Sequence, residues 1–271
     1  MDRNIRHPVV AGQFYPQDKK NLKQELERYF NDISLDGNSM GIVVPHAGYI
    51  YSGSIAALGF SKLMKADTFI LLGPNHTGLG RLVAASKNSW LTPLGEVKID
   101  LELASNFGCS LIFDEAPHRN EHSIEVQLPF LQYLFGNDFK ILPISMCLQD
   151  IGTARHLGTL IYNAIKSSGN KSIAIIASSD FTHFKDSETA KSDDLYIIEP
   201  ILEMNVSKFY KRIAERNVTT CGYGAVATMM VALKLFDANA RGNLLKYATS
   251  GDITGDNTSV VGYAAINVDG I

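Results

Sequence analysis

Three histidines of this chain each follow a short apolar segment and stand among polar or turn-forming residues. The local sequences are PHAG around His46, GPNHTG around His76 and SSDFTHF around His183. Glycine and proline next to two of these histidines permit tight backbone turns. A single loop histidine commonly forms only a turn hydrogen bond, whereas three at equivalent places indicate convergence on one site. Because imidazole binds transition metals and exchanges protons near neutral pH, that site is predicted to be catalytic or metal-binding.

Two further segments carry reactive side chains near predicted helix starts. Glu121 and His122, in the sequence NEHS, precede one helical pattern, and Cys221, in TTCGYG, precedes another. A helix N-terminus favours the thiolate form of cysteine, and thiolate and neutral imidazole are good ligands for iron, copper or zinc. The other cysteines, Cys109 and Cys147, lie in apolar surroundings and are interpreted as small core residues.

Short, apolar, β-branched segments alternate with helical patterns along the chain. Six segments predict buried strands: residues 41–44, 68–72, 82–85, 139–144, 172–177 and 259–268. Apolar residues at helical spacing predict helices around Ile124–Phe135 and Val226–Phe236. Pro129 indicates that the first of these helices either starts nearby or is kinked.

Strands that are apolar throughout need helices on both faces of their sheet. We therefore expect an α/β fold, a single three-layer α/β/α sandwich around a central, largely parallel or mixed sheet, with residues 1–271 forming one domain. The polar stretch Lys185–Asp194 is interpreted as a surface loop that leads into a helix. Ligands of such sheets bind at the carboxyl ends of the strands, where the three histidines are expected.

The composition excludes several classes of protein. Of 271 residues, 45% are hydrophobic and 20% charged, with a net charge of −3, which argues against a disordered chain and against nucleic acid as the main partner. No apolar run reaches the roughly 18 residues that cross a membrane, and no signal-peptide pattern is present, so a cytoplasmic protein is expected. Dinucleotide, P-loop and nucleophile-elbow motifs are also missing.

Six segments in one order resemble the MEMO family (mediator of cell motility), whose prokaryotic members are called AmmeMemoRadiSam system protein B. The segments are His7–Pro16, Pro45–Gly53, Gly73–Gly78, Glu121–Glu125, Ser178–His183 and Cys221–Gly224. They extend from the first ten residues to the last third of the chain. The resemblance implies a single MEMO-like domain with a fold similar to class III extradiol dioxygenases.

In those dioxygenases two histidines and a carboxylate bind Fe(II), and another histidine is the acid/base. By resemblance, His46 and His76 occupy the metal-histidine positions, and Cys221 supplies a thiolate in place of the carboxylate. A mononuclear iron or copper ion is the implied cofactor. Because the thiolate changes the ligand set, ring cleavage is not inherited from the fold.

The same resemblance assigns roles around the metal. Asp180 and His183 match the motif that lines the pocket, with His183 at the acid/base position. His122 matches more weakly, as a pocket wall or a residue behind the ligands. All three are treated as candidate catalytic residues.

Three functions remain open from the sequence. The first is a mononuclear iron- or copper-binding protein with redox activity. The second is a module that binds a peptide or a small phosphorylated or anionic ligand in the same pocket without metal, although no arginine lies beside the matching loops. The third is a metal-free hydrolase or transferase with Cys221 as nucleophile and His183 or His46 as base. The substrate and the oligomeric state are left open.

Overall fold

The computed structural model describes residues 5–269, and within this range eleven strands form one mixed sheet. The strands are β1 (Ile5–Arg6), β2 (Gly41–Val44), β3 (Thr68–Pro74), β4 (Val83–Ala85), β5 (Ser89–Thr92), β6 (Gly95–Ile99), β7 (Lys140–Met146), β8 (Ile173–Ser178), β9 (His183–Lys185), β10 (Arg241–Thr249) and β11 (Val260–Asp269). The α-helices are α1 (Lys19–Phe30), α2 (Tyr49–Lys62), α3 (Leu101–Ser105), α4 (Leu128–Phe135), α5 (Ile151–Lys166), α6 (Ser187–Leu202), α7 (Val206–Arg216), α8 (Tyr223–Phe236) and α9 (Gly251–Thr254). Two 3-10 helices span Gly108–Ser110 and Glu125–Gln127. The predicted domain of residues 1–271 also includes residues 1–4 and 270–271, which lie outside the described range.

The central strands of the sheet are parallel, and its margins are mostly antiparallel. The main strand order is β1-β5-β6-β7-β3-β8-β2-β11-β10, with β4 paired to β7 and β9 paired to β11. Strands β6, β7, β3, β8 and β2 run parallel to one another, whereas β11 runs antiparallel to β2, β9 and β10. The α/β fold with a mixed sheet that the sequence predicts is confirmed.

Alternate residues of the central strands pack into two separate cores. Val43, Ile70 and Ile175 point to the face covered by α5 to α8, and their neighbours Ile42 and Phe69 point to the face covered by α1, α2 and α4. Both faces of these strands are therefore apolar, which explains why the strand sequences show no polar alternation.

All six predicted strands are present, and their ends differ from the prediction by at most two residues. The segment 41–44 is β2 itself, and β3 continues two residues past the prediction because Gly73 and Pro74 still pair with β7. The unpredicted strands β1, β5, β6, β9 and β10 lie at the sheet margins and are short or contain several polar residues. Their sequences lack the continuous apolar run on which the prediction depended.

The helix predictions are confirmed, and the first pattern starts at its proline rather than being kinked there. Helix α4 begins at Leu128, so Pro129 occupies the first turn, where its missing N–H leaves no intrahelical bond unmade. The interpretation of Lys185–Asp194 as a surface loop is wrong for most of its length. Helix α6 begins at Ser187, because the Asp186 side chain caps it by accepting a hydrogen bond from the Thr189 N–H.

The core assignment of two cysteines is also wrong. Cys109 and Cys147 are both exposed. Cys109 lies in a 3-10 turn, and Cys147 lies one residue beyond the end of β7, where the chain leaves the sheet. Apolar neighbours in the sequence did not reveal that the chain turns outward at both places.

Between residues 5 and 269, the structure contains no helix with both the length and the apolar character that a bilayer crossing requires.

Candidate metal centre

The candidate site lies at the carboxyl ends of three adjacent parallel strands. His46, His76 and Asp180 each stand two residues beyond the end of β2, β3 and β8, and β8 lies between the other two strands. Asp180 therefore occupies the middle, where its Oδ1 accepts a hydrogen bond of 2.8 Å from the His46 N–H. The sheet order thus brings together residues that are far apart in the sequence, as expected for this edge of an α/β sheet.

Three histidines converge at this edge. Ring nitrogens of His46, His76 and His122 all lie within 4.8 Å of one another. The His76 and His122 rings are stacked with centroids 4.9 Å apart, and the His46 ring meets both edge-on at 5.2 and 5.4 Å. His46 is buried at 2% exposure, whereas the side chain of His76 is 36% exposed. The cluster therefore has a buried floor and an opening to solvent.

The hydrogen bonds around Ser178 fix the tautomer of His46. The Ser178 hydroxyl donates its only proton to the Ser123 carbonyl at 2.7 Å and accepts a bond of 2.8 Å from Gln127 Nε2. Its remaining contact, 2.9 Å from His46 Nδ1, must then be donated by the imidazole. His46 Nε2 is left with a free lone pair, which is the form that binds metal.

Glu121 fixes the tautomer of His76, as Ser178 fixes that of His46. Its Oε1 lies 3.0 Å from His76 Nδ1, and its Oε2 accepts a hydrogen bond of 2.5 Å from the His76 N–H. Because the carboxylate can only accept, His76 Nδ1 carries the proton and Nε2 carries the lone pair. His122 Nδ1 is more distant from the same carboxylate, at 3.5 Å.

Cys221 stands beside His46, outside the group of three imidazoles. Its Sγ lies 3.1 Å from His46 Nε2 and accepts a hydrogen bond of 3.2 Å from the Asp180 N–H. The residue directly precedes the N-cap of α8, Gly222, as the sequence predicted. A β-carbon at position 222 would overlap the Ser178 carbonyl oxygen, so glycine lets the start of α8 approach β8.

The thiolate ligand role of Cys221 stays a prediction, and the surroundings of the thiol oppose its ionisation. Burial raises the pKa of the Cys221 thiol well above its ordinary value, and the nearby Asp180 carboxylate raises it further. Burial likewise raises the pKa of Asp180 to about 6, although the His46 N–H opposes this. The helix N-terminus is therefore outweighed by desolvation and by a neighbouring acid. Burial therefore favours the protonated thiol, whose Sγ lies 3.1 Å from His46 Nε2 and 3.5 Å from the Asp180 carbonyl oxygen.

The histidine pKa values move in different directions. Burial, followed by the neighbouring His122, His76 and His183, lowers the pKa of His46 well below its ordinary value, so its ring is neutral. Burial also lowers the pKa of His76, but the hydrogen bond and charge of Glu121 outweigh burial and the net pKa is raised. Burial raises the pKa of Glu121, yet the opposing contacts with His76 bring it to about 2. Glu121 is therefore ionised.

His183 lies near the cluster but does not belong to it. It begins β9, and its Nδ1 is 2.8 Å from the Thr219 carbonyl, which leaves Nε2 unprotonated in the neutral ring. It lies close enough to His46 and Asp180 to influence their pKa values. The acid/base roles of His183, Asp180 and His122 stay predictions.

Residues behind the ligands were missed at the level of sequence. The sequence places Glu121 only before a predicted helix, and no local pattern marks Ser178 or Gln127 as part of a site. All three are buried and hydrogen-bonded to the site. The one available signal was Glu121 itself, a carboxylate adjacent to His122 in a motif segment.

The donor set fits a transition metal. An ion at the centre of a triangle with 4.8 Å sides is about 2.8 Å from each corner, so each ring nitrogen would move inward by about 0.7 Å at most to reach bonding distance. Thiolate and imidazole are both ligands of such ions. Cys221 Sγ and His46 Nε2, 3.1 Å apart, are close enough to bind the same ion.

Comparison with known proteins identifies close relatives over the whole chain. The profile of the family described as "Memo-like protein" matches residues 6–267. A MEMO1 family protein of Methanosarcina mazei is 50% identical over 267 residues, which cover 98% of this chain and 99% of that protein. A MEMO1 family protein of Nitrosopumilus maritimus is 44% identical, with 97% and 98% of the two chains covered.

A solved structure shares the fold at low sequence identity. The crystal structure of uncharacterized protein JW3007 from Escherichia coli K12 superimposes with a TM-score of 0.53. The match covers 84% of this chain and 99% of that chain, with 12% sequence identity. This similarity concerns the arrangement of strands and helices alone.

Proposed function

The chain belongs to the Memo-like family, and from that premise we propose that it binds a single iron or copper ion through His46 and His76 and uses it in redox chemistry. The observation that carries the proposal is the convergence of ring nitrogens from His46, His76 and His122 within 4.8 Å. Imidazoles of one cluster with a solvent opening are typical of transition-metal sites.

Hydrogen bonds at the far side of each ring support the proposal. Metal-binding histidines usually donate their second ring nitrogen to a carboxylate or another oxygen, which orients the ring. His46 does so to Ser178, and His76 does so to Glu121. Both rings therefore direct Nε2 lone pairs at the site, and that of His46 is in contact with the Cys221 sulfur.

Two side chains compete for the third position. The family resemblance favours Cys221, whose Sγ is 3.1 Å from His46 Nε2, and the mutual distances of the imidazoles favour His122. Thiolate is a soft ligand that favours copper and iron, and three imidazoles suit zinc, copper or iron. Bound at this edge, the metal would supply a redox-active centre with positions open to a substrate.

The chain's own residues would manage protons around that centre. Cys221 must lose its proton to become a ligand, and His76 must be neutral, so binding releases protons. Asp180 accepts a hydrogen bond from the His46 N–H, and His183 lies near His46 with its Nε2 outside the contact to Thr219. We propose them as the groups that hold or transfer protons during the reaction.

Metal content tests the proposal. Protein purified without oxygen is expected to hold about one equivalent of iron or copper by mass spectrometry, and His46→Ala is expected to abolish it. The exposed His156→Ala serves as the matched control. His122→Ala and Cys221→Ser then identify the third ligand, with Cys147→Ser as the control for loss of a thiol. Retention of stoichiometric metal by a His46/His76/Cys221 triple alanine variant would refute the ligand assignment.

A site that refuses added Fe(II), Cu(I) and Zn(II) would refute the metal proposal itself. Metal-dependent oxygen consumption by the wild-type protein, absent from His46→Ala, is the expected sign of redox activity.

A further inference from the structure

One buried carboxylate holds an entire histidine of the candidate site. Glu121 bonds both to the backbone N–H of His76 and to its ring Nδ1, at 2.5 and 3.0 Å. Two contacts from one carboxylate to one residue fix the backbone position of that residue together with its side-chain rotamer. The ring of His76 is consequently held in one orientation.

The carboxylate is itself held by the backbone of its own segment. Glu121 Oε1 accepts hydrogen bonds of 2.9 Å from the N–H groups of both His122 and Ser123, and the side chain is 2% exposed. An acceptor fixed by two amides and buried from solvent does not rotate to follow the imidazole. The orientation is thus imposed on His76 by Glu121.

His76 needs this support more than His46 does. The His46 side chain is buried, whereas 36% of the His76 side chain is exposed on the loop that follows β3. An exposed imidazole samples several rotamers and both neutral tautomers unless a partner selects one. Without such a partner, binding a metal would have to restrict the His76 side chain to one rotamer, and this loss of conformational entropy would weaken binding.

From these contacts we infer that Glu121 is the positioning residue that prepares His76 as a metal ligand, holding the ring with Nδ1 protonated and Nε2 free. The inference rests on the proposed metal function, yet the orientation of His76 exists without metal and is measured separately. His122 differs, because its Nδ1 lies at 3.5 Å from the same carboxylate and its ring rests against Phe14 and His76.

The first test reads the tautomer of His76 in the metal-free protein. Ring ¹⁵N chemical shifts at alkaline pH are expected to show His76 with a protonated Nδ1 and a bare Nε2. In Glu121→Ala the same signals are expected to shift toward protonated Nε2, whereas the signals of His46 stay unchanged. A His76 tautomer that is identical in the wild type and in Glu121→Ala would overturn the inference.

The second test measures metal affinity by competition with a chromophoric chelator for Fe(II) and Zn(II). Glu121→Ala is expected to weaken binding about 10- to 100-fold, the range typical for loss of a partner behind a ligand. Glu121→Gln is expected to fall between the wild type and Glu121→Ala, because one amide oxygen still accepts from Nδ1. An affinity of Glu121→Ala within about threefold of the wild type would contradict the inference.

Glu125→Gln is the matched control for damage to the fold. Glu125 lies four residues away, is equally buried and contacts Arg6 and Tyr15, with no contact to a ring of the cluster. It is expected to lower thermal stability while metal affinity per folded protein stays unchanged. If Glu121→Ala does not fold, the metal affinity of Glu121→Gln decides, and a value equal to that of the wild type would overturn the inference. A wild type that binds no metal would remove the proposed function, and the NMR result would still decide the role of Glu121.

Discussion

Glu121 and Glu125, two buried glutamates of one short segment, contact different kinds of groups. Glu125 forms an ion pair of 2.7 Å with Arg6 and accepts hydrogen bonds from the Tyr15 hydroxyl and from the N–H groups of Val9 and Val10. Glu121 faces the other way and accepts from the ring of His76. One carboxylate is surrounded by an arginine, a tyrosine and backbone amides, and the other contacts the imidazole that we propose as a metal ligand.

The difference shows how burial is used in this protein. Around Glu125 a charge is removed from water and fully compensated, so the N-terminal segment is fastened to the sheet edge. The buried charge of Glu121 is compensated in part by the Nδ1–H of the His76 imidazole, whose Nε2 carries no proton. Polar burial therefore stabilises the fold in the first region and, in our proposal, orients a metal ligand in the second.

The largest expected effect concerns the ion pair between Arg6 and Glu125. Arg6→Ala leaves the Glu125 carboxylate buried without its cation, and we expect the free energy of unfolding to fall by about 3–5 kcal/mol. Chemical denaturation measures this. Arg119→Ala, an exposed arginine in the same region, is the control and should change stability by less than about 0.5 kcal/mol. Equal effects of the two substitutions would contradict the role of the buried pair.

The second prediction concerns pH and His118, whose carbonyl accepts from Arg6 Nε. Burial lowers the pKa of His118 from 6.5 to about 4. Between these values the unfolded chain binds the proton and the folded protein does not, so stability falls as the pH drops from about 6.5 to about 4. The loss amounts to about 3 kcal/mol.

His118→Gln keeps a donor for the Ala84 carbonyl and cannot titrate. The wild type is therefore expected to lose more stability than His118→Gln over that pH range, as measured by denaturation at each pH. Parallel pH profiles for the two proteins would show that His118 does not titrate as proposed.

The third prediction tests the thiol of the site. Because the pKa of Cys221 is raised and its side chain is half-buried, iodoacetamide at neutral pH should label it at least about tenfold more slowly than the exposed Cys109 and Cys147. Peptide mapping of the metal-free protein gives the three rates. Preferential labelling of Cys221 would instead support a nucleophilic thiolate and the hydrolase hypothesis.

The smallest expected effect is at Ser178, which sets the tautomer of His46 as Glu121 sets that of His76. Ser178→Ala removes the acceptor for Nδ1, and metal affinity should fall about tenfold, the lower end of the range for such partners. Chelator competition measures it, with the exposed Ser110→Ala as control. A loss of metal affinity larger than that of Glu121→Ala would show that His46 depends more on its hydrogen-bond partner than His76 does.

The sequence predicted the central fold because its strands are apolar on both faces. Strand β2 was located to the residue, and the convergence of His46 and His76 followed from strands that end at one edge. Margin strands such as β10 were missed, since their polar residues break the apolar run. Residue spacing also gave no access to pKa values: the thiol of Cys221 is governed by burial and by Asp180, which only the fold brings close.

Contacts made behind the rings were equally hidden. Ser178 and Gln127 are 51 residues apart in the sequence, and nothing in either local sequence indicates that they share a hydrogen bond below His46. Glu121 was visible as a carboxylate in a motif segment, but its partner His76 lies 45 residues away. Long-range polar pairs of this kind require the folded coordinates.

The strand order also determines when the site comes into existence during synthesis. His46 and His76 belong to segments made early, but β8, which spans Ile173–Ser178, is inserted between β2 and β3 in the finished sheet. Until that strand has left the ribosome, β2 and β3 lack the neighbour that sets their spacing. A nascent chain that ends before residue 173 thus carries His46, His76 and His122 without bringing them together. The convergence of these histidines is in this way confined to chains whose central sheet is complete.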